Sequence, residues 1–259
     1  MAASVDGFSL ATIPLVPLYN DRALGNATGF VWLHEGQHFL ITNWHVVSGR
    51  SAETGHVLHE MGGIPNKLGL YLKPSTNTFG WYDSVVDLID PAGQPLWFVH
   101  PSFSSQVDVV AVKLAEPPTG SRYLPINIFQ LDALQIDVGM DVFVLGYPFG
   151  FKPPGMPVWK RGSVASEPSI APLTERFILV DTASRPGMSG APVIRRSWAT
   201  HMMEGGDIIS GPRVMTSFVG VYSGRLHTKD QGDAQLARVW PRMLIEEIFS
   251  VLLRDQPRQ

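Results

Sequence analysis

Eleven short runs rich in β-branched and aromatic residues, each closed off by turn residues, dominate this 259-residue chain. They are "TIPLVPLY", "TGFVWL", "HFLIT", "LGLYL", "PLWFV", "DVVAVKL", "DVFVLGY", "GSVAS", "RFILVD", "APVIR" and "VMTSFVGVYS". Runs of this length with no helices alternating between them predict an all-β chain of antiparallel barrels or sandwiches. The 25 glycines and 21 prolines fall largely between the runs, where the chain must reverse. One helix is expected, at about 241–253. There "PRMLIEEIFSVLLR" sets Met243, Leu244, Ile248, Val251 and Leu252 along one stripe, and Pro241 suits a first turn. "LAEPPTGSRYLP" at 114–125 is the expected connection between two halves.

Composition removes several function classes. Charged residues make up 17% and the net charge is −3, so no basic field exists to attract nucleic acid or an anionic membrane surface. A hydrophobic content of 44% suffices for a real core. With no cysteine, disulfides and thiolate chemistry are excluded, which fits a reducing cytosol, and a cytoplasmic location is expected. A secretory signal is not expected, because Asp6 lies early, the first basic residue is Arg22 and two prolines interrupt "LATIPLVPLY". Without that route the sequon "NAT" at 26–28 has no meaning. No apolar run reaches the roughly 18 residues that span a bilayer.

"HEGQH", residues 34–38, copies the pattern by which zinc peptidases hold their metal. That pattern works on a helix, where positions four apart share a face and both imidazoles reach one ion. Here the flanks "TGFVW" and "FLIT" favour strands and Gly36 sits in the middle. A hairpin tip at Glu35–Gly36–Gln37 is expected, with His34 and His38 not converging. Nothing fixes His56 or His59 as a third ligand. The metalloprotease is kept as a minor alternative, and no metal or cofactor is expected.

Three other stretches supply the parts of acyl transfer, which needs a serine, a base beside it, a group that orients the base, and donors for the oxyanion. "PGMSGAP" sets Ser189 among glycines that permit a sharp turn, so the Gly187 and Ser189 amides can point into one space. "ITNWHVV" brings His45 to the end of an apolar run. "SQVDVVAVKL" puts Asp108 at the mouth of an apolar strand, where it must accept hydrogen bonds. Singly, each has a bland reading as a turn serine, a structural histidine or a capping aspartate. Their coincidence and order carry the argument.

Over residues 25–225 the chain resembles the chymotrypsin-fold serine peptidases, most of all the bacterial trypsin-like domain of Deg/HtrA-type proteases. "GNATGFVW" is similar to that family's entry strand, "FLITNWHVV" to its histidine segment and "VDVVAVKL" to its aspartate segment. "VFVLGYPFG" is similar to the opening of its second half, "FILVDTASRPGMSGAPVI" to its nucleophile segment and "SFVGVYSG" to its cleft strand. An α/β-hydrolase elbow is unsuitable, since Ala191 stands where glycine is required and the triad order differs. The resemblance implies two antiparallel six-stranded β-barrels, an N-terminal unit 1–120 carrying His45 and Asp108 and a C-terminal unit 121–259 carrying Ser189, with the terminal helix packed on the second. It implies Ser189 as nucleophile, His45 as general base, Asp108 as its orienting group, and Gly187 and Ser189 as oxyanion donors. Ser223 matches a cleft-strand serine lying near the triad aspartate, and with Gly224 it would hold extended substrate.

Departures from the family pattern bear on activity and specificity. Met188 stands before the nucleophile in place of aspartate or asparagine, so activation by a freed amino terminus is not expected. The oxyanion loop must then be held by packing or by a regulatory event, and a regulatory partner is allowed for. Ala183, six positions before the nucleophile, gives no support to a demand for lysine or arginine. Arg185, Arg225 and His227 leave an acidic preference open, but a small or medium apolar side chain is the expected fit. Residues 49–82 are read as a tolerated surface insertion in preference to a loop that controls access. Only about 35 residues follow Gly224, so no PDZ-type module is expected after the peptidase unit. The expected function is a serine endopeptidase acting on protein or peptide substrates, the alternative being a silent copy of the fold used as a binding module.

Overall fold

A computed structural model describes residues 5–76, 80–150, 155–225 and 235–257. His227 and part of the 49–82 stretch fall outside the described residues. Among the described residues the chain opens with a single helical turn, α1 (Gly7–Ala11), whose Phe8 N–H donates to the Asp6 side chain. The first sheet follows. It contains β1 (Thr12–Tyr19), β2 (Arg22–Ala23), β3 (Ala27–His34) and β4 (Gln37–Thr42), then α2 (Trp44–Ser48). It continues with β5 (Lys67–Pro74), β6 (Tyr82–Asp87), β7 (Trp97–Val99), β8 (Val110–Lys113) and β9 (Ser121–Arg122).

The second half contains β10 (Asp141–Gly146), β11 (Val158–Val164), β12 (Ile178–Asp181) and β13 (Pro192–Ser197). A separate hairpin, β14 (Thr200–Met202) and β15 (Ile208–Ser210), precedes β16 (Met215–Arg225) and β17 (Leu236–Pro241). Then come α3 (Arg242–Val251) and β18 (Leu253–Arg254).

The all-β expectation holds, and the strands distribute as a chymotrypsin-like fold. Six strands close the second barrel in the order β10-β11-β12-β17-β16-β13. The first half is a ten-stranded sheet ordered β18-β7-β8-β4-β3-β1-β5-β6, with β2 added to β1 and β9 to β5. An Ile89–Pro95 bridge and the Leu96 N–H to Leu88 C=O bond (2.9 Å) tie the β6 side to β7, curling the sheet round its core. That core is Leu15, Val31, Leu40, Leu70, Val110 and Val112, set on one face by the period-2 alternation of their strands. A second core fills the closed barrel with Val144, Val180, Val193, Val239 and Tyr222.

A third cluster joins the halves, and α3 belongs to it. Leu244, Ile245, Ile248 and Phe249 are buried among Phe30, Trp32, Phe39 and Ile41 of the first sheet and Ile194, Phe218, Val221 and Trp240 of the barrel. The expected packing on the second barrel alone is thus too narrow, and the stripe is rotated: Met243 and Val251 are exposed. The helix stops at Leu252, which is left-handed (φ 53°), and the chain then pairs β18 with β7 of the first sheet. A tertiary partner for the next residues ended the helix before its apolar pattern did.

The hairpin at 34–38 forms as expected. His34 pairs with Gln37 across a turn in which Glu35 (φ 46°) and Gly36 (φ 75°) are both left-handed. His34 stacks on Phe249 with centroids 4.6 Å apart, whereas His38 lies 5.2 Å from the Tyr123 ring. One-residue alternation sends the two imidazoles to opposite faces.

Candidate active site

Each of the three side chains singled out by the sequence lies beside a strand end. His45 lies on α2, the short turn after β4; Asp108 lies two residues before β8, the strand that pairs with β4. Register alone therefore brings the two together. His45 Nδ1 is 2.7 Å from Asp108 Oδ2, and the His45 backbone N–H donates to Asp108 Oδ1 at 2.9 Å. Asn43 adds a third tie, its amide donating to the Asp108 carbonyl at 2.7 Å. Asp108 is 4% exposed and satisfied by these donors, as a buried carboxylate must be. Burial of the imidazole works against its charge, but the attraction of Asp108 and the hydrogen bond to it outweigh this, so the His45 pKa stands above the ordinary histidine value.

Ser223 completes the carboxylate's shell, its hydroxyl donating to Asp108 Oδ2 at 2.5 Å. The β16–β17 ladder slips between Tyr222 and Arg225, and Gly224 there has φ 85°. Such a bulge re-aims side chains, here turning Ser223 toward the first sheet.

Ser189 sits in the tight loop before β13. Gly187 (φ 94°) and Gly190 (φ 83°) flank it in conformations that side chains rarely adopt. A Cβ at Gly187 would lie 2.3 Å from the Tyr147 carbonyl oxygen, and one at Gly190 2.1 Å from that of Thr28. Both positions thus require glycine. The loop is tied down by Thr28, whose hydroxyl donates to the Gly187 carbonyl (2.7 Å) and whose N–H donates to the Ser189 carbonyl (2.8 Å). Among the described residues the Gly187 and Ser189 amides donate to no acceptor. Met188 is 1% exposed, packed in the barrel core against Gly146, so the loop is held from within by packing.

Ser189 and His45 line the same two adjoining cavities, of about 450 and 570 Å³, with no hydrogen bond between them among the described residues. Ser223, Gly224 and Arg225 line the larger cavity, and a Cβ on Gly224 would stand 3.8 Å from Ser189 Oγ. Ala183 is half-buried and lines neither cavity. Its neighbour Ser184 does, hydrogen-bonded to the Tyr222 hydroxyl at 2.8 Å. The 49–82 stretch also departs from the reading as a mere insertion, because Leu58, His59, Met61 and Pro65 wall the smaller cavity. Gly49 (φ 65°) ends α2 and returns the chain over the cleft.

Sequence reasoning passed over Thr28, Asn43 and Asp255. Thr28 had a local signal, a polar residue at the start of an apolar strand; the others act through partners far away in sequence. Among the described residues there is no group of three or more metal-ligating side chains, and no helix is long and apolar enough to cross a membrane.

Residues 27–200 match the family model of the trypsin-like peptidase domain. No curated protein matches the chain. Among solved structures it is similar to the Rv3671c protease of M. tuberculosis in its active form, at 19% identity and TM-score 0.52, covering 97% of this chain and 85% of that one. It is similar to a thermostable serine protease AL20 from an extremophilic microorganism at 9% identity and TM-score 0.52, covering 95% and 98%. It also resembles a serine endoprotease of Yersinia pestis at 12% identity and TM-score 0.50, covering 97% and 68%. At such identities these likenesses speak for the fold, while the family match spans well over half of the sequence. The chain belongs to the trypsin-like peptidase domain family and is a hydrolase of the serine endopeptidase type.

Proposed function

We propose that the chain cleaves peptide bonds through an acyl-enzyme formed on Ser189. His45 takes the serine proton and returns it to the leaving amine, and Asp108 keeps the imidazole in the useful tautomer and stabilises its charged form. The free Gly187 and Ser189 amides receive the oxyanion. The observation that carries this is the doubly bonded His45–Asp108 pair facing the same cavity as Ser189. Alignment of Ser189 with His45 is left to the bound substrate, as is common in unliganded sites. In this reading the unit 1–120 supplies the base and its partner, and 121–259 supplies the nucleophile.

The residue before the scissile bond is read as small or medium and uncharged. Around the larger cavity Arg185, Arg225 and Arg238 are balanced by Glu53, Glu175 and Asp108, and Arg238 pairs with Glu53. No net field selects an acidic side chain. The buried Met188 supports activity in the purified chain alone. The alternative, a regulatory partner that orders the loop, would show as labelling that accelerates when cell extract is added. The absence of cysteine suits work in a reducing compartment such as the cytosol.

A fluorophosphonate probe tests the proposal. Chelator-insensitive labelling that is lost in Ser189→Ala is expected, with turnover reduced roughly a millionfold in Ser189→Ala or His45→Ala. No labelling under any condition would identify a silent binding module instead. Proteolysis abolished by chelator without labelling would revive the metal reading.

A further inference from the structure

α2 has five residues, too few for a helix to persist alone in water. Its N-cap, Asn43, makes no side-chain cap: the amide nitrogen donates to the Asp108 carbonyl, and among the described residues Oδ1, the atom that would cap, accepts no hydrogen bond. What fixes His45 must therefore come from outside the helix. Val46 and Val47 anchor one side in the first core. A further anchor comes from the other end of the sequence: the Trp44 indole N–H donates to Asp255 Oδ2 at 2.7 Å.

Asp255 follows β18 and is 6% exposed. The same Oδ2 accepts the Trp97 indole N–H at 3.0 Å, Oδ1 accepts the Gln256 N–H at 2.9 Å, and the Asp255 N–H donates to the Trp97 carbonyl at 3.2 Å. Among the described residues no lysine, arginine or histidine forms an ion pair with it. A carboxylate retained in such a place is held by neutral donors, and two of the three are indoles. Trp97 lies on β7, which pairs with β8, the strand that Asp108 leads into. One oxygen thus spans the helix that carries His45 and the strand beside the one that fixes Asp108.

We propose that Asp255 is a positioning residue for His45. The chain leaves the second barrel through α3, crosses to the first sheet as β18, and there clasps Trp44, fixing α2 against the Asp108 strand and aiming the imidazole at Ser189. The inference rests on the reading of His45 as the base.

The test compares wild type, Asp255→Ala, Asp255→Asn and Trp44→Phe in the full chain, with kcat expressed per titrated active site. Asp255→Ala removes the acceptor shared by two buried indoles, and kcat is expected to fall about tenfold to a hundredfold, as small misplacements of a reacting group do. KM should change far less. The acid limb of kcat/KM should move to lower pH, because an imidazole held loosely against Asp108 loses part of the attraction that raises its pKa. Asp255→Asn keeps an oxygen acceptor and should restore most of kcat. Trp44→Phe leaves Asp255 held by Trp97, so it tests the same link if Asp255→Ala does not fold. Nitrogen-15 shifts of the two indole N–H groups report the clasp without recourse to activity. If Asp255→Ala and Trp44→Phe lower only the melting temperature, with per-site kcat and acid limb as in wild type, Asp255 is structural and the proposal is wrong. A wild type with no Ser189-dependent turnover would overturn the reading of His45 beneath it, and the indole shifts would show whether the clasp exists regardless.

Discussion

Thr28→Val keeps the shape of a fully buried side chain and deletes one hydroxyl. That hydroxyl donates to the Gly187 carbonyl at 2.7 Å and accepts the Tyr147 N–H at 3.1 Å, so its loss strands two buried backbone groups. Each stranded group costs about 1–3 kcal/mol, about 2–6 kcal/mol for the pair. For a chain of this size the melting temperature should then fall by roughly 5–20 °C. The catalytic effect is separate. Losing an oxyanion donor outright costs about a hundredfold to a thousandfold in kcat. Thr28 acts one step back, by fixing the Gly187 peptide, so about tenfold to a hundredfold is expected with KM little changed. Thermal unfolding and steady-state hydrolysis of a chromogenic peptide, normalised by active-site titration, would measure both, with Thr28→Ser as the control that keeps the hydroxyl. A Thr28→Val protein that melts early yet turns over at the wild-type rate per site would refute the idea that this bond orients the oxyanion loop.

In Ser189→Ala, which cannot digest itself, the His45 imidazole should titrate by NMR above the ordinary value of about 6.5. Activity of the wild type should rise with pH through that point, since the base must be neutral. The same raised pKa adds stability that is fully present below the ordinary value and lost as pH climbs through the raised one. Ser223→Ala removes a hydrogen bond to a charged group, worth about 1.5–3 kcal/mol, and kcat/KM should fall roughly tenfold to a hundredfold; an unchanged kcat/KM would make Ser223 a bystander. Burial lowers the Lys73 ammonium to about 7, while the Trp81 ring, 3.1 Å away, favours its charge. Stability measured by denaturant should therefore rise with pH from about 7 toward about 10, where the unfolded lysine still holds its proton, and Lys73→Met should flatten the rise. A flat wild-type profile would mean that the ring holds the charge.

The strands that the sequence predicts share one property: they are buried on at least one face, so the core writes itself into their composition. "TIPLVPLY" coincides with β1 for this reason. β6, "YDSVVD", carries no strand signature in sequence because it is a largely exposed edge where polar residues cost nothing. β17, "LARVWP", closes the barrel, but its apolar run is interrupted by Arg238, which faces outward between buried Ala237 and Val239 and pairs with Glu53 beside the cleft. The buried stripe of α3 differs from the one its sequence predicts because its pattern is apolar on more than one face, and the cluster between the two halves chose among them.

The site divides in the same way. His45, Asp108 and Ser189 were legible because each is a polar group stranded beside apolar or glycine-rich sequence, where a local rule is broken. The sequence by itself determined the all-β class, the turns at Gly36, Gly187 and Gly190, and the chemical types available for catalysis, since periodicity and backbone freedom are properties of neighbouring residues. Only the tertiary structure decided that Thr28 would hold the loop 159 residues away and that Asp255 would hold Trp44 across 211. A hydrogen bond depends on distance in space, and no local pattern records which of many distant groups the fold will bring to within 3 Å.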